Sequence, residues 1–103
     1  MGGSGSGGYR PSTPSSPCAQ LRFQAAINSP VAAVIGQLHV GAVLQVSQGG
    51  PQAVNLNYNG KAAGTLTGAK ISQLINCMTT GFNYEATVIT LNGGHCVVEV
   101  AIV

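Results

Sequence analysis

Polar and apolar positions alternate with a period of two along most of this chain, and twice the pattern switches to a period near 3.6. In "AQLRFQAAI", Leu21, Phe23, Ala25 and Ile27 alternate with Gln20, Arg22, Gln24 and Ala26, the signature of a half-buried strand. "AVLQVSQ" repeats it, with Leu44 and Val46 on one side and Gln45 and Ser47 on the other, and "GGP" at 49–51 is expected to break that strand. Val54, Leu56 and Tyr58 alternate with Asn55 and Asn57, and Asn59-Gly60 suits a two-residue type I′ turn that needs positive φ twice. Two stripes at i, i+3, i+4 and i+7 predict short helices: Val31, Val34, Ile35 and Leu38, then Ile71, Leu74, Ile75 and Met78. Ser29 as N-cap and Pro30 at the first helical position open the first. The second is expected from about Ala69 to Met78, with Thr67 or Gly68 before it and Gly81 closing it.

The last stretch, "NYEATVITLNGGHCVVEVAIV", reads as two strands joined at "NGG". A three-residue loop sets Thr90 opposite Cys96, Val88 opposite Val98, Ala86 opposite Val100 and Tyr84 opposite Ile102, a coherent apolar row. A two-residue loop would instead put Glu85 opposite Ile102 and Thr87 opposite Val100, mixing a charge into the apolar row, so the three-residue loop is expected. In the three-residue register the second face carries Ile89, Leu91, Val97, Ala101 and Val103 among Glu85, Thr87, His95 and Glu99. That apolar half needs a cover. A helix of the same chain, the curl of a barrel or another molecule would each provide one.

The resulting order, β-α-β-β-β-α-β-β, predicts a mostly β fold: a small six-stranded barrel-like sheet of the SH3 or OB kind with two short helices, spanning residues 18–103 as one domain. Residues 1–17 are Gly, Ser and Pro with one Tyr and one Arg, and read as a flexible arm, whether an added tag, a natural tail or a tether.

Composition narrows the function. Charged residues are 6% of 103, against about 25% in ordinary soluble domains. The net charge is +2, so steering toward nucleic acid or anionic lipid should be weak, and so little mutual repulsion favours self-association. No apolar run reaches the roughly 18 residues of a membrane span, and the start lacks a signal core. The expectation is a soluble, cytoplasmic protein with no membrane partner. Cys18, Cys77 and Cys96 have no close pairing motif and read as reduced thiols, with one bridge at most.

Candidate chemistry is sparse. Glu85 and Glu99 are the only carboxylates and fall as diagonal neighbours on one face, where two solvated glutamates are the simpler account than an acid/base pair. Calcium and magnesium want clustered carboxylates, and the spread of Cys18, Cys77, Cys96, His39 and His95 lacks the paired spacing of a zinc site. Cys77, one heptad after Lys70, is the one thiol whose neighbour would lower its pKa, although packing on the flank of the second helix is the simpler account. No phosphate loop is present. Neither a cofactor, a metal nor a catalytic residue is expected.

From Gly41 to about Val100, "VGAVLQV", "AVNLNYNGKAAGTLTG", "ISQLINCMTTGFNYEATV" and "GGHCVVEV" together resemble the HIRAN domain family, small barrels associated with DNA-processing proteins. The resemblance implies a small barrel fold and binding of DNA ends or single strands. Where the family carries an Asn, an aromatic and an Asp before its Ala-Val, this chain has "SQGGPQAVNL" and keeps only Ala53 and Val54, so no binding residue is carried over from that segment. The leading expectation is a non-enzymatic interaction or self-assembly module that uses Ile89, Leu91, Val97, Ala101 and Val103 to meet a protein partner or a second copy. The alternative is a nucleic-acid binder using Arg22, Tyr58, Lys61 and Lys70.

Overall fold

The computed structural model describes residues 17–103; the predicted arm lies outside the described residues except for Pro17. In chain order the elements are α1 (Pro17–Gln20), β1 (Arg22–Ala26), α2 (Ala32–Ile35), β2 (Val43–Gly50), β3 (Ala53–Tyr58), β4 (Lys61–Thr67), α3 (Ala69–Thr79), β5 (Tyr84–Asn92) and β6 (His95–Ile102). The predicted strands and their order are all present, and a third short helix, α1, precedes them. The strands form one antiparallel sheet in the order β1-β6-β5-β2-β3-β4.

That sheet curls into a half-barrel whose two edges are tied at one end. Just past β1, the Asn28 N–H donates to the Thr65 carbonyl at 2.7 Å, Thr65 returns a bond of 2.9 Å to the Asn28 carbonyl, and Val31 donates to Ala63 at 2.9 Å. This use of residues 28–31 corrects the helix-start reading. Ser29 sits at φ 49° and caps nothing; the N-cap is Val31, and α2 is a single turn. Val31 is consequently exposed, while Val34, Ile35 and Leu38 of the predicted stripe are buried.

The concave side holds the core. Leu44, Leu56, Leu66, Leu74, Val54, Val98 and Val100 have no exposed surface, each contributing about 1.5–3 kcal/mol of apolar burial. Helix α3 lays Ile71, Leu74, Ile75 and Cys77 against β3 and β4, with Met78 partly buried at the same face. It ends where the sequence indicated. Gly81 at φ 109° lets its N–H reach the Met78 carbonyl at 3.1 Å, and Phe82 donates to Cys77 at 3.1 Å, the paired bonds of a Schellman motif.

The "GGP" segment ends β2 as expected, at Gly50, though the strand enters it by way of a bulge between Gln48 and Gly50. Gly49 fits there because a Cβ would come 2.7 Å from the Asn55 side-chain oxygen. In the last hairpin the pairs Tyr84–Ile102, Ala86–Val100 and Val88–Val98 stand as predicted, but a bulge follows Val88. Beyond it Thr90 pairs with Val97 and Leu91, not Thr90, pairs with Cys96, leaving Gly93-Gly94 as a two-residue turn. Asn59 and Gly60 take φ 52° and 79°, the double positive φ expected of the β3–β4 turn.

Candidate interaction surface

The outer face can be read row by row from the register. One row is Arg22, Ala101, Glu85, Gln45 and Asn57; the next is Gln24, Glu99, Thr87 and Val43. The third joins Ala26 to Val97, with the bulge placing Ile89 and Thr90 on its far side. Polarity falls along this series. The third row and the adjoining Val43 make an apolar patch that no described element covers; Val43 is 45% exposed, and Ile89 and Val97 are half-buried. Gly41 donates to the Val88 carbonyl at 2.8 Å, which brings Val40, 62% exposed, to the same end of the sheet.

The five residues singled out in the sequence therefore separate. Ile89 and Val97 share this patch. Leu91 does not, because the bulge turns it to the inner side, where it packs against the core. Ala101 lies in register between Arg22 and Glu85. Val103, 73% exposed, lies beyond the opposite end of β6, its N–H bonded to the Asn83 carbonyl at 2.9 Å. Ala26 and Val43 were not expected there; their nearness depends on β1 pairing with β6 and β2 with β5, long-range pairings that no local pattern encodes.

The charged groups are sparse and dispersed. Glu85 and Glu99 are diagonal on the outer face, as the register predicted, with Glu99 4.0 Å from the Arg22 guanidinium across an exposed pair of the kind that stabilises little. Tyr58 and Lys61 pair across the β3–β4 turn, and the Tyr58 ring is partly buried against the core. Lys70 lies past the far end of β4, and Arg22 belongs to β1 at the other side of the sheet order. The four candidate nucleic-acid residues do not share one cluster.

Thiol chemistry corrects the sequence reading most. Cys18 and Cys77 are joined by a disulfide, Cα–Cα 5.4 Å, so the expectation of three reduced thiols gives way and Cys77 has no free nucleophile to offer. The bond ties α1 to the last turn of α3. Tyr84 reinforces the tie, its hydroxyl donating to the Cys18 carbonyl at 2.5 Å, and burial raises the Tyr84 pKa. Cys96, the remaining thiol, is buried between β-strand neighbours, and desolvation raises its pKa, which keeps it protonated. Nothing in the cysteine spacing pointed to this pairing; proximity of α1 and α3 comes only with the folded sheet.

Among the described residues no three His, Cys, Asp or Glu side chains gather as a metal site would require, and no helix is long and apolar enough to cross a membrane. His39 and His95 are both exposed. A half-open recess of about 260 Å³ is lined by Pro30, Ala32, Ile35, Gly36, Gly93 and Gly94, none of which carries a polar side chain to orient a ligand. The chain matches no family model, no curated protein and no solved structure.

Proposed function

We propose that this domain is a non-enzymatic self-assembly module whose contact surface is the outer face of its last hairpin, centred on Ile89 and Val97 and extended by Ala26 and Val43. The observation that carries the reading is the uncharged apolar patch at the bulged end of the sheet, which no described residue covers. Its support is physical. Contiguous exposed apolar area on a soluble domain marks an interaction site, and a chain with 6% charged residues opposes its own association weakly.

Sedimentation equilibrium of the full chain across a wide concentration range tests this. The expected result is a mass that rises from monomer to a defined oligomer. In Val97→Asn and Ile89→Asn the midpoint moves at least about tenfold higher, the loss of roughly 1.4 kcal/mol of apolar contact. Association that is indifferent to both substitutions overturns the choice of face.

A further inference from the structure

We infer that β1 is a strand-addition edge, and that its occupant is β1 of a second copy of this chain, paired antiparallel about a two-fold axis at Gln24. This deepens, and rests on, the self-assembly reading above. Ile27 donates to the Cys96 carbonyl at 2.9 Å, so in the antiparallel β1–β6 ladder the odd residues Phe23, Ala25 and Ile27 are those that bond to β6. Arg22, Gln24 and Ala26 then turn their N–H and C=O groups the other way. The next even residue, Asn28, shows where that direction leads, since it bonds to Thr65 of β4 on that side.

The Asn28–Thr65 bridge is not continued toward the start of β1: its register would set Ala26 opposite Thr67, the last residue of β4, but no backbone bond joins them, and β4 does not extend alongside Gln24 or Arg22. Arg22, Gln24 and Ala26 are left without a backbone partner on that side among the described residues, and all three are exposed. The opposite edge differs. Thr65 and Ala63 of β4 are taken by Asn28 and Val31, the Asn28 side-chain amide reaches the Thr67 hydroxyl at 2.6 Å, and a bulge distorts the strand between its pairs to Leu56 and Asn57. β1 is short and carries one charge, Arg22, at its start, but it contains no proline or lysine, and its register with β6 is unbroken by a bulge.

The sequence of β1, "RFQAA", favours a copy of itself over a foreign strand. About a two-fold at Gln24, Gln24 meets Gln24 of the second copy, whose side-chain amides can donate and accept mutually. Arg22 falls opposite Ala26 of the second copy, so no cation faces a cation. Each of the outward residues then donates one bond and accepts one, and the outer faces of both sheets become one continuous surface.

The backbone test is Gln24→Pro in the full chain. Its missing N–H subtracts nothing from the β1–β6 ladder, so at concentrations where the parent is dimeric a monomer is expected with unchanged circular dichroism and with the thermal midpoint the parent shows when diluted to monomer. Hydrogen exchange supplies the readout that does not depend on the variant. The Gln24 and Ala26 amides should exchange at least about tenfold more slowly at high than at low protein concentration, while those of Phe23 and Ala25 stay protected at both. A Gln24→Pro protein that still dimerises, or Gln24 and Ala26 exchange that is independent of concentration, overturns the proposal. If Gln24→Pro leaves the dimer intact while Val97→Asn dissolves it, edge pairing fails and the face reading stands; the reverse pattern retains the edge and removes the face.

Discussion

Gly64 is the residue on which closure of the half-barrel depends. A Cβ built there would collide with the Ile27 side-chain methyl Cγ2 and come within 2.9 Å of the Asn28 carbonyl oxygen, the acceptor for Thr65. Neither neighbour can retreat cheaply, since Ile27 is buried and Asn28 is held by two backbone bonds. Gly64→Ala should therefore cost about 2–3 kcal/mol in urea unfolding, whereas Gly94→Ala, with nothing within 4 Å, should cost far less. A second residue-scale prediction concerns pH. The Cys96 thiol ionises near 9.0 when unfolded, and burial raises that value in the fold. Its contribution to stability is complete below pH 9.0 and is lost as pH climbs through the higher folded value. Tyr84, raised in the same direction from 10.0, extends the loss upward. Unfolding measured from pH 8 to 11 should show this alkaline decline, and Cys96→Ala should remove its lower part. At this scale the sequence was informative about which residues turn inward: Leu21, Ile27, Leu44, Val54, Leu56, Val98 and Val100 all follow their alternation. It was silent about Gly64, whose necessity comes from a strand far away in the chain.

At the scale of elements, the Cys18–Cys77 bond is the feature with the largest measurable consequence. It closes a loop with a sequence separation of 59, which in the chain-entropy account constrains the unfolded state by about 4 kcal/mol. Urea unfolding with and without a strong dithiol reductant should differ by up to that amount, and the Cys18→Ala/Cys77→Ala double variant should be insensitive to reductant. Counting thiols in the denatured, unreduced protein decides the matter independently: one reactive thiol per chain, Cys96, is expected, whereas three would restore the all-reduced reading and dissolve the α1–α3 tie. Elements whose character is locally encoded were legible. Helix α3 was found within one residue at its end because its apolar stripe and Gly81 act over adjacent turns. The start of the first helix is set by distant contacts instead. Ser29-Pro30 has the chemistry of a helix start, but Asn28 and Val31 bond to β4, and that tertiary demand moves the start to Ala32 and shortens the helix to one turn. The bulge after Val88 was equally hidden, and with it the inward turn of Leu91. Alternation continued through the hairpin gives no sign of an inserted residue.

For the whole molecule, the pairing order explains what kind of association the surface can support. Hairpins β2–β3, β3–β4 and β5–β6 follow from turn chemistry, but β1 with β6 and β2 with β5 are long-range choices, and these bring Ala26, Val97, Ile89 and Val43 together. The resulting patch contains no charge, and the nearest ion pair, Arg22 with Glu99, is 67% and 32% exposed. Assembly built on strand pairing at β1 and apolar contact beside it should then be almost indifferent to ionic strength. Between about 50 and 500 mM salt the Debye length shrinks from roughly 14 to 4 Å, which would strongly weaken any contact that depended on exposed charges. The dimer dissociation constant is expected to change by less than about threefold over that range, and sulfate should tighten it slightly by favouring apolar burial. A steep loss of affinity with salt would instead assign the contact to Arg22, Lys61 or Lys70, residues the fold distributes over separate parts of the sheet and α3. Analytical ultracentrifugation in a salt series makes that measurement. It separates contacts made by backbone and apolar side chains from contacts made by charge, the physical distinction on which the proposed assembly depends.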